Sequence, residues 1–107
     1  MLKVMKSNDV VMAVYLIGQL EITDVDTFRR YSEQVAATVQ QYGGRYLVRG
    51  GSIETLEGAL SGSRLVVVEF DSKESAKRWY SSEEYVPLIK LRQSASEGDI
   101  VLVDGVE

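Results

Sequence analysis

Three stretches of this chain, Val11 to Leu20, Arg64 to Phe70 and Ile100 to Val103, are rich in aliphatic and β-branched residues on both strand faces. None reads as a strand that shows one clean side to water, so each needs cover above and below. The segments between them supply part of that cover. Thr23-Asp24-Val25-Asp26 offers a capping residue with acids in the first turn, and Val25, Phe28, Val35, Val39 and Tyr42 recur at helical spacing. This predicts a helix from about Asp24 to Tyr42, stopped by Gly43-Gly44. Arg45 to Arg49 reads as a second strand closed by Gly50-Gly51, with Ile53 to Leu56 continuing it after a bend. Asp71-Ser72-Lys73-Glu74 opens a helix with Ala76, Trp79 and Tyr80 on its apolar side, and Ser81-Ser82 interrupts it. A further helical segment runs from about Glu83 to Ala95, with Pro87 tolerable only near its first turn.

The order βαββαβ predicts an α+β domain of ferredoxin-like type, a four-stranded antiparallel sheet with the helices on one face. The helices cover only that face. A second copy of the chain is the simplest cover for the other, which makes a homodimer, sheet against sheet, the expected assembly. Residues 1–10 read as an N-terminal extension and residues 11–107 as the single domain.

Composition closes off much chemistry. The chain has no Cys and no His, so it has no thiol nucleophile, imidazole base or thiolate or imidazole metal ligand. No metal site and no cofactor are expected. A net charge of −4 with scattered Lys and Arg lacks the footprint of a nucleic-acid binder. Arg64 to Phe70 also lacks the Gly-aromatic pattern of an RNA-recognition strand. The longest apolar stretch, Val10 to Gly18, falls far short of the roughly 20 residues of a membrane helix. Lys3 and Lys6 imitate the start of a signal peptide, but Asn8 and Asp9 interrupt it and no small-residue cleavage site follows, so a cytoplasmic location is expected. There is no dinucleotide fingerprint, no P-loop and no partner for a serine nucleophile.

Glu69 is the one charge inside Leu65-Val66-Val67-Val68-Glu69-Phe70, and a carboxylate there must find a partner or titrate. Strand alternation groups it with Leu65 and Val67, and the same parity groups Tyr15, Ile17 and Gln19 with Arg45, Leu47 and Arg49. Tyr15, Arg49 and Glu69 are therefore expected to converge, with Glu69 as general acid or base, Tyr15 donating and Arg49 holding an anionic group. The competing expectation is an internal ion pair between Glu69 and Arg49 that fixes packing or the dimer, with Arg45 and Arg64 also within reach of Glu69. Trp79, Tyr80 and Tyr85 are candidates for an aromatic lip over a pocket, or for core and interface. Arg92 and Arg64 are candidates to receive a carboxylate, or to cap a helix or bridge subunits.

Several ordered blocks carry a resemblance: Gly43-Gly44-Arg45-Tyr46-Leu47-Val48-Arg49-Gly50-Gly51, then Leu56-Glu57-Gly58, then Arg64 to Phe70, then Trp79-Tyr80 with Ser82, Tyr85 and Arg92. From about Met12 to Val106 the chain resembles the small bacterial family known as domain of unknown function 1330. It departs at Ala59 and Leu60, where that family tends to have an acidic residue followed by Trp. The resemblance implies the dimeric α/β-barrel group, whose members include cofactor-free monooxygenases, isomerases and haem proteins. Two functions are thereby expected: a cofactor-independent enzyme acting on a small organic acid or an aromatic metabolite, or a noncatalytic ligand-binding or oligomer-forming module in which Glu69 is structural.

Overall fold

The computed structural model describes residues 12–106, and the extension expected over residues 1–10 lies outside them. The elements are β1 (Val14–Ile22), α1 (Val25–Gln41), β2 (Arg45–Arg49), β3 (Arg64–Phe70), α2 (Lys73–Tyr80), α3 (Val86–Ala95) and β4 (Ser96–Asp104). The helix signals act as expected. Asp24 caps α1 by accepting from the Thr27 amide at 3.1 Å, and Ser72 caps α2 by accepting from the Ser75 amide at 3.1 Å. The Ser81-Ser82 break is an ordered turn: the buried Ser82 hydroxyl donates to the Trp79 carbonyl at 2.7 Å and accepts from the Tyr85 amide at 3.1 Å. That turn carries Tyr85 inward as the residue before α3, with Pro87 in the first helical turn, where its missing amide hydrogen is harmless.

The sheet is antiparallel with strand order β2-β3-β1-β4. Val14, Leu16, Leu20, Val68 and Phe70 face the helices and pack with Phe28, Val35, Val39, Trp79 and Leu88 in one core. Each such fully buried side chain contributes about 1.5–3 kcal/mol of hydrophobic stabilisation. The other sheet face is open. It presents Tyr15, Ile17, Leu65 and Val67, with Val101 and Val103 52% and 46% exposed.

Three expectations are corrected. Ile53 to Leu56 does not extend β2, and residues 51–61 are exposed and without regular structure. The final strand starts at Ser96 rather than Ile100, because Ile22 to Gly18 of β1 pairs with Ser96 to Ile100 and overrides the weak strand preference of Ser, Glu, Gly and Asp. The third correction is a bulge in β2. Tyr46 pairs with Val68 but Val48 pairs with Val67, so Leu47 is the extra residue and the alternation reverses behind it.

Candidate functional site

The register of β2 against β3 sets Arg45 beside Glu69, and the bulge turns Arg49 to the other face. Arg45 and Tyr15 both pair with Glu69 in the register, one from each neighbouring strand, on the open face. The Tyr15 hydroxyl donates to Oε2 of Glu69 at 3.0 Å and Arg45 is ion-paired to Oε1. This bond to the carboxylate holds the Tyr15 hydroxyl above its usual pKa. Glu69 is thus satisfied from both sides by its own chain. Arg49, expected in this cluster, lies beyond the bulge opposite Val66 and turns to the helix side. Its Nη2 donates to the Ser32 carbonyl of α1 at 2.6 Å, and its guanidinium lies 4.6 Å from the Tyr46 ring centre.

On the helix side the chain builds a second, different cluster. A recess between α1, the sheet and the turn before α3 is lined by Tyr31, Tyr46, Arg49, Arg64, Trp79 and Tyr85 among other residues. It spans about 470 Å³ with its open mouth, of which about 30 Å³ accepts water centres, room for roughly two waters. At its inner end the Tyr31 and Tyr85 hydroxyls are 2.8 Å apart, and Nη1 of Arg92 donates to the Tyr85 oxygen at 2.6 Å. Arg92 is only 5% exposed. Whichever tyrosine donates in the shared bond, two hydroxyl hydrogens serve one bond, so one remains, and neither hydroxyl donates elsewhere among the described residues. Burial raises the pKa of Tyr31, Tyr85 and Tyr46, so all three stay protonated and act as donors rather than bases.

At the outer end stand Arg49 and Arg64. The Arg64 guanidinium lies 5.1 Å from the Phe28 ring centre, and its Nε is buried without a hydrogen-bond partner. Burial first, and then the charge of Arg49, lowers the Arg64 pKa from its ordinary value. The ion pairs among the described residues are Arg29–Asp26, Arg45–Glu69 and Lys73–Asp104, so none of Arg49, Arg64 and Arg92 has a carboxylate partner there. Among the described residues no cluster of three or more acids is placed to hold a metal ion.

The expected aromatic lip divides. Trp79 and Tyr85 are buried in the recess wall and core, with the Trp79 indole nitrogen donating to the Thr38 hydroxyl at 2.9 Å. Tyr80 is 40% exposed and instead lines a groove between α2 and β4 with Leu16, Ala76 and Ile100. Tyr31 and Tyr46 also stand in the recess, with little in the sequence to mark them as site residues. Tyr31 continues the apolar stripe of Phe28 and Val35 and so reads as plain core, while Tyr46 reaches the recess only through its place in β2.

Solved structures with this fold include a protein of unknown function from Rhodopseudomonas palustris, with a TM-score of 0.76 and 13% identity over 94% of this chain and 88% of that one. SnoaB, a cofactor-independent oxygenase from Streptomyces nogalater, aligns with a TM-score of 0.62 and 11% identity over 90% of this chain and 95% of that one. A conserved protein from Methanosarcina mazei aligns with a TM-score of 0.57 and 13% identity over 89% of this chain and 94% of its own. At these identities the likeness is one of fold. No curated protein matches the sequence. Residues 13–106, nearly the whole domain built around the two clusters, match the family described as Domain of unknown function (DUF1330), and the chain belongs to that family.

Proposed function

We propose that the helix-side recess binds a small organic anion, with Tyr31 and Tyr85, backed by Arg92, stabilising negative charge on a ligand oxygen. The observation that carries this reading is the hydroxyl hydrogen without a protein acceptor, next to a buried guanidinium without a carboxylate. An unused donor and an uncompensated buried charge both cost free energy in an apolar wall, and an oxyanion resolves both.

A donor polarised by a guanidinium serves an enolate oxygen better than a ketone oxygen, so the site lowers the barrier to enolising an oxo acid. Burial keeps the Tyr31 and Tyr85 hydroxyls protonated, so they supply no base. Proton removal therefore falls to water or to the substrate's own acidity, which limits the chemistry to readily enolised acids and needs no cofactor. That the fold also houses a cofactor-independent oxygenase supports this reading. Titration with pyruvate, acetoacetate and acetate tests it. The wild type should bind these acids saturably, and Tyr31→Phe and Tyr85→Phe should weaken binding at least about tenfold. Faster deuterium exchange beside the keto group in heavy water marks a catalyst, and binding without exchange marks a binding module. A folded protein that takes up none of these acids sinks the proposal.

A second reading concerns the open face, where Val101, Val103, Ile17 and Val67 surround the satisfied Tyr15–Glu69–Arg45 cluster. It favours a homodimer in which that cluster is structural. A face of this kind contributes about 800 Å² per partner. Light scattering at micromolar concentration should give twice 11.9 kDa, and a stable monomer rules the dimer out.

A further inference from the structure

The recess carries cationic donors at both ends. Inside, Arg92 acts through Tyr85 and Tyr31; at the mouth, Arg49 and Arg64 stand near enough for the charge of one to depress the pKa of the other. Like charges side by side at a partly buried position are unfavourable unless something holds them or something pairs with them. Here the chain holds them. Arg49 is fixed on the Ser32 carbonyl and hydroxyl at 2.6 and 3.3 Å and lies over Tyr46, while Arg64 lies over Phe28. Gly50, at φ +71°, leaves the room that Arg64 occupies, since a Cβ there would collide with the guanidinium. The Nε of Arg64 is nevertheless buried and unpartnered, and neither arginine meets a carboxylate among the described residues. The Nε is closed off from solvent, so the approach left to a planar carboxylate is the Nη1–Nη2 end of the guanidinium, which receives it through two parallel bonds.

Resting on the anion-binding reading above, we infer that the ligand carries a second anionic group gripped by Arg64 and Arg49, so that the site selects short dicarboxylates over monocarboxylates. The inner oxygen of the ligand meets the Tyr31–Tyr85 pair, and the outer carboxylate lies in the mouth, where solvent access relieves the limit set by the narrow interior. Arg64 and Arg49 are specificity residues in this scheme.

Matched acids test it: succinate against butyrate, and 2-oxoglutarate against 2-oxopentanoate, titrated into the wild-type protein by calorimetry. The diacid of each pair should bind at least about tenfold more tightly. Arg64→Met should weaken the diacid at least about tenfold more than the monoacid and so remove that preference, and Arg49→Gln should reduce the preference in a second variant that keeps Arg64. Tyr85→Phe, by contrast, should weaken both acids of a pair. Equal wild-type affinities for mono- and diacid overturn the inference and leave the anion site standing. A diacid preference that survives in both arginine variants overturns it as well. Failure of every acid to bind overturns this inference together with the reading beneath it.

Discussion

The two faces of the sheet handle charge in opposite ways. On the open face a carboxylate sits between a cation and a phenol, and all three are satisfied by the chain itself. On the helix side Arg49 and Arg64 line a recess and Arg92 backs it through Tyr85, none with a carboxylate among the described residues, and a phenolic hydrogen is left over. A balanced cluster holds structure together, whereas an unbalanced one asks for something from outside. The sign of the imbalance also matters, because a protein of net charge −4 has gathered positive charge around this recess.

The sharpest way to break this contrast is to remove one donor from the recess. Tyr85→Phe should lose at least about tenfold in small-acid affinity and about 1–3 kcal/mol of stability in urea unfolding, since it leaves the buried Arg92 without its partner. If Glu69→Gln damages acid binding as much, the two faces are not separate in function.

Next comes alkaline pH. Burial raises Tyr31 and Tyr85 above the ordinary 10.0, so the folded state keeps protons that the unfolded chain gives up. Their contribution to stability is fully present below pH 10 and is lost as pH rises through the raised values. The loss reaches about 1.4 kcal/mol per pH unit for each tyrosine between its unfolded and folded values. Urea midpoints measured on both sides of pH 10 should fall steeply in the wild type and less in Tyr31→Phe. Parallel slopes would show that the pair is not protected from ionising.

A smaller effect belongs to the open face. Glu69→Gln should weaken the dimer proposed for this face by about three- to fivefold in sedimentation equilibrium and leave acid binding in the recess unchanged. An unaltered dimer would detach the cluster from the interface.

The smallest concerns the exposed side of the helix pair, where the Tyr42 hydroxyl donates to Glu84 at 2.9 Å. That bond, with the Glu84 amide and others, holds the Glu84 carboxyl below its ordinary 4.5. Its contribution is present above pH 4.5 and lost as pH falls through the depressed value. Tyr42→Phe should flatten the acid limb of the stability profile slightly and leave both sheet faces untouched.

Alternation and helical spacing carried much of the fold. They placed β1, α1 and β3 to within a few residues, and parity alone put Tyr15 and Glu69 on one face, where the structure bonds them. Glu69 stood out because an isolated charge in an apolar run is a local signal. Tyr31 gave none: a tyrosine on an apolar helical stripe looks like core until another hydroxyl arrives 2.8 Å away from a residue 54 positions distant. Arg92 carried a signal of charge but none of burial.

What the sequence determined by itself is the set of elements and the inventory of groups: strands apolar on both faces, capped helices, and a chemistry confined to carboxylate, phenol, hydroxyl, amine and guanidinium by the absence of His and Cys. These depend on near neighbours and composition, which a chain displays directly. The tertiary structure decided who meets whom. One extra residue in β2, Leu47, turned Arg49 away to the recess, while Arg45, ahead of it, kept the place beside Glu69 that alternation gives. A bulge depends on how a strand fits the partner it pairs with, and that fit exists only once β2 and β3 lie side by side.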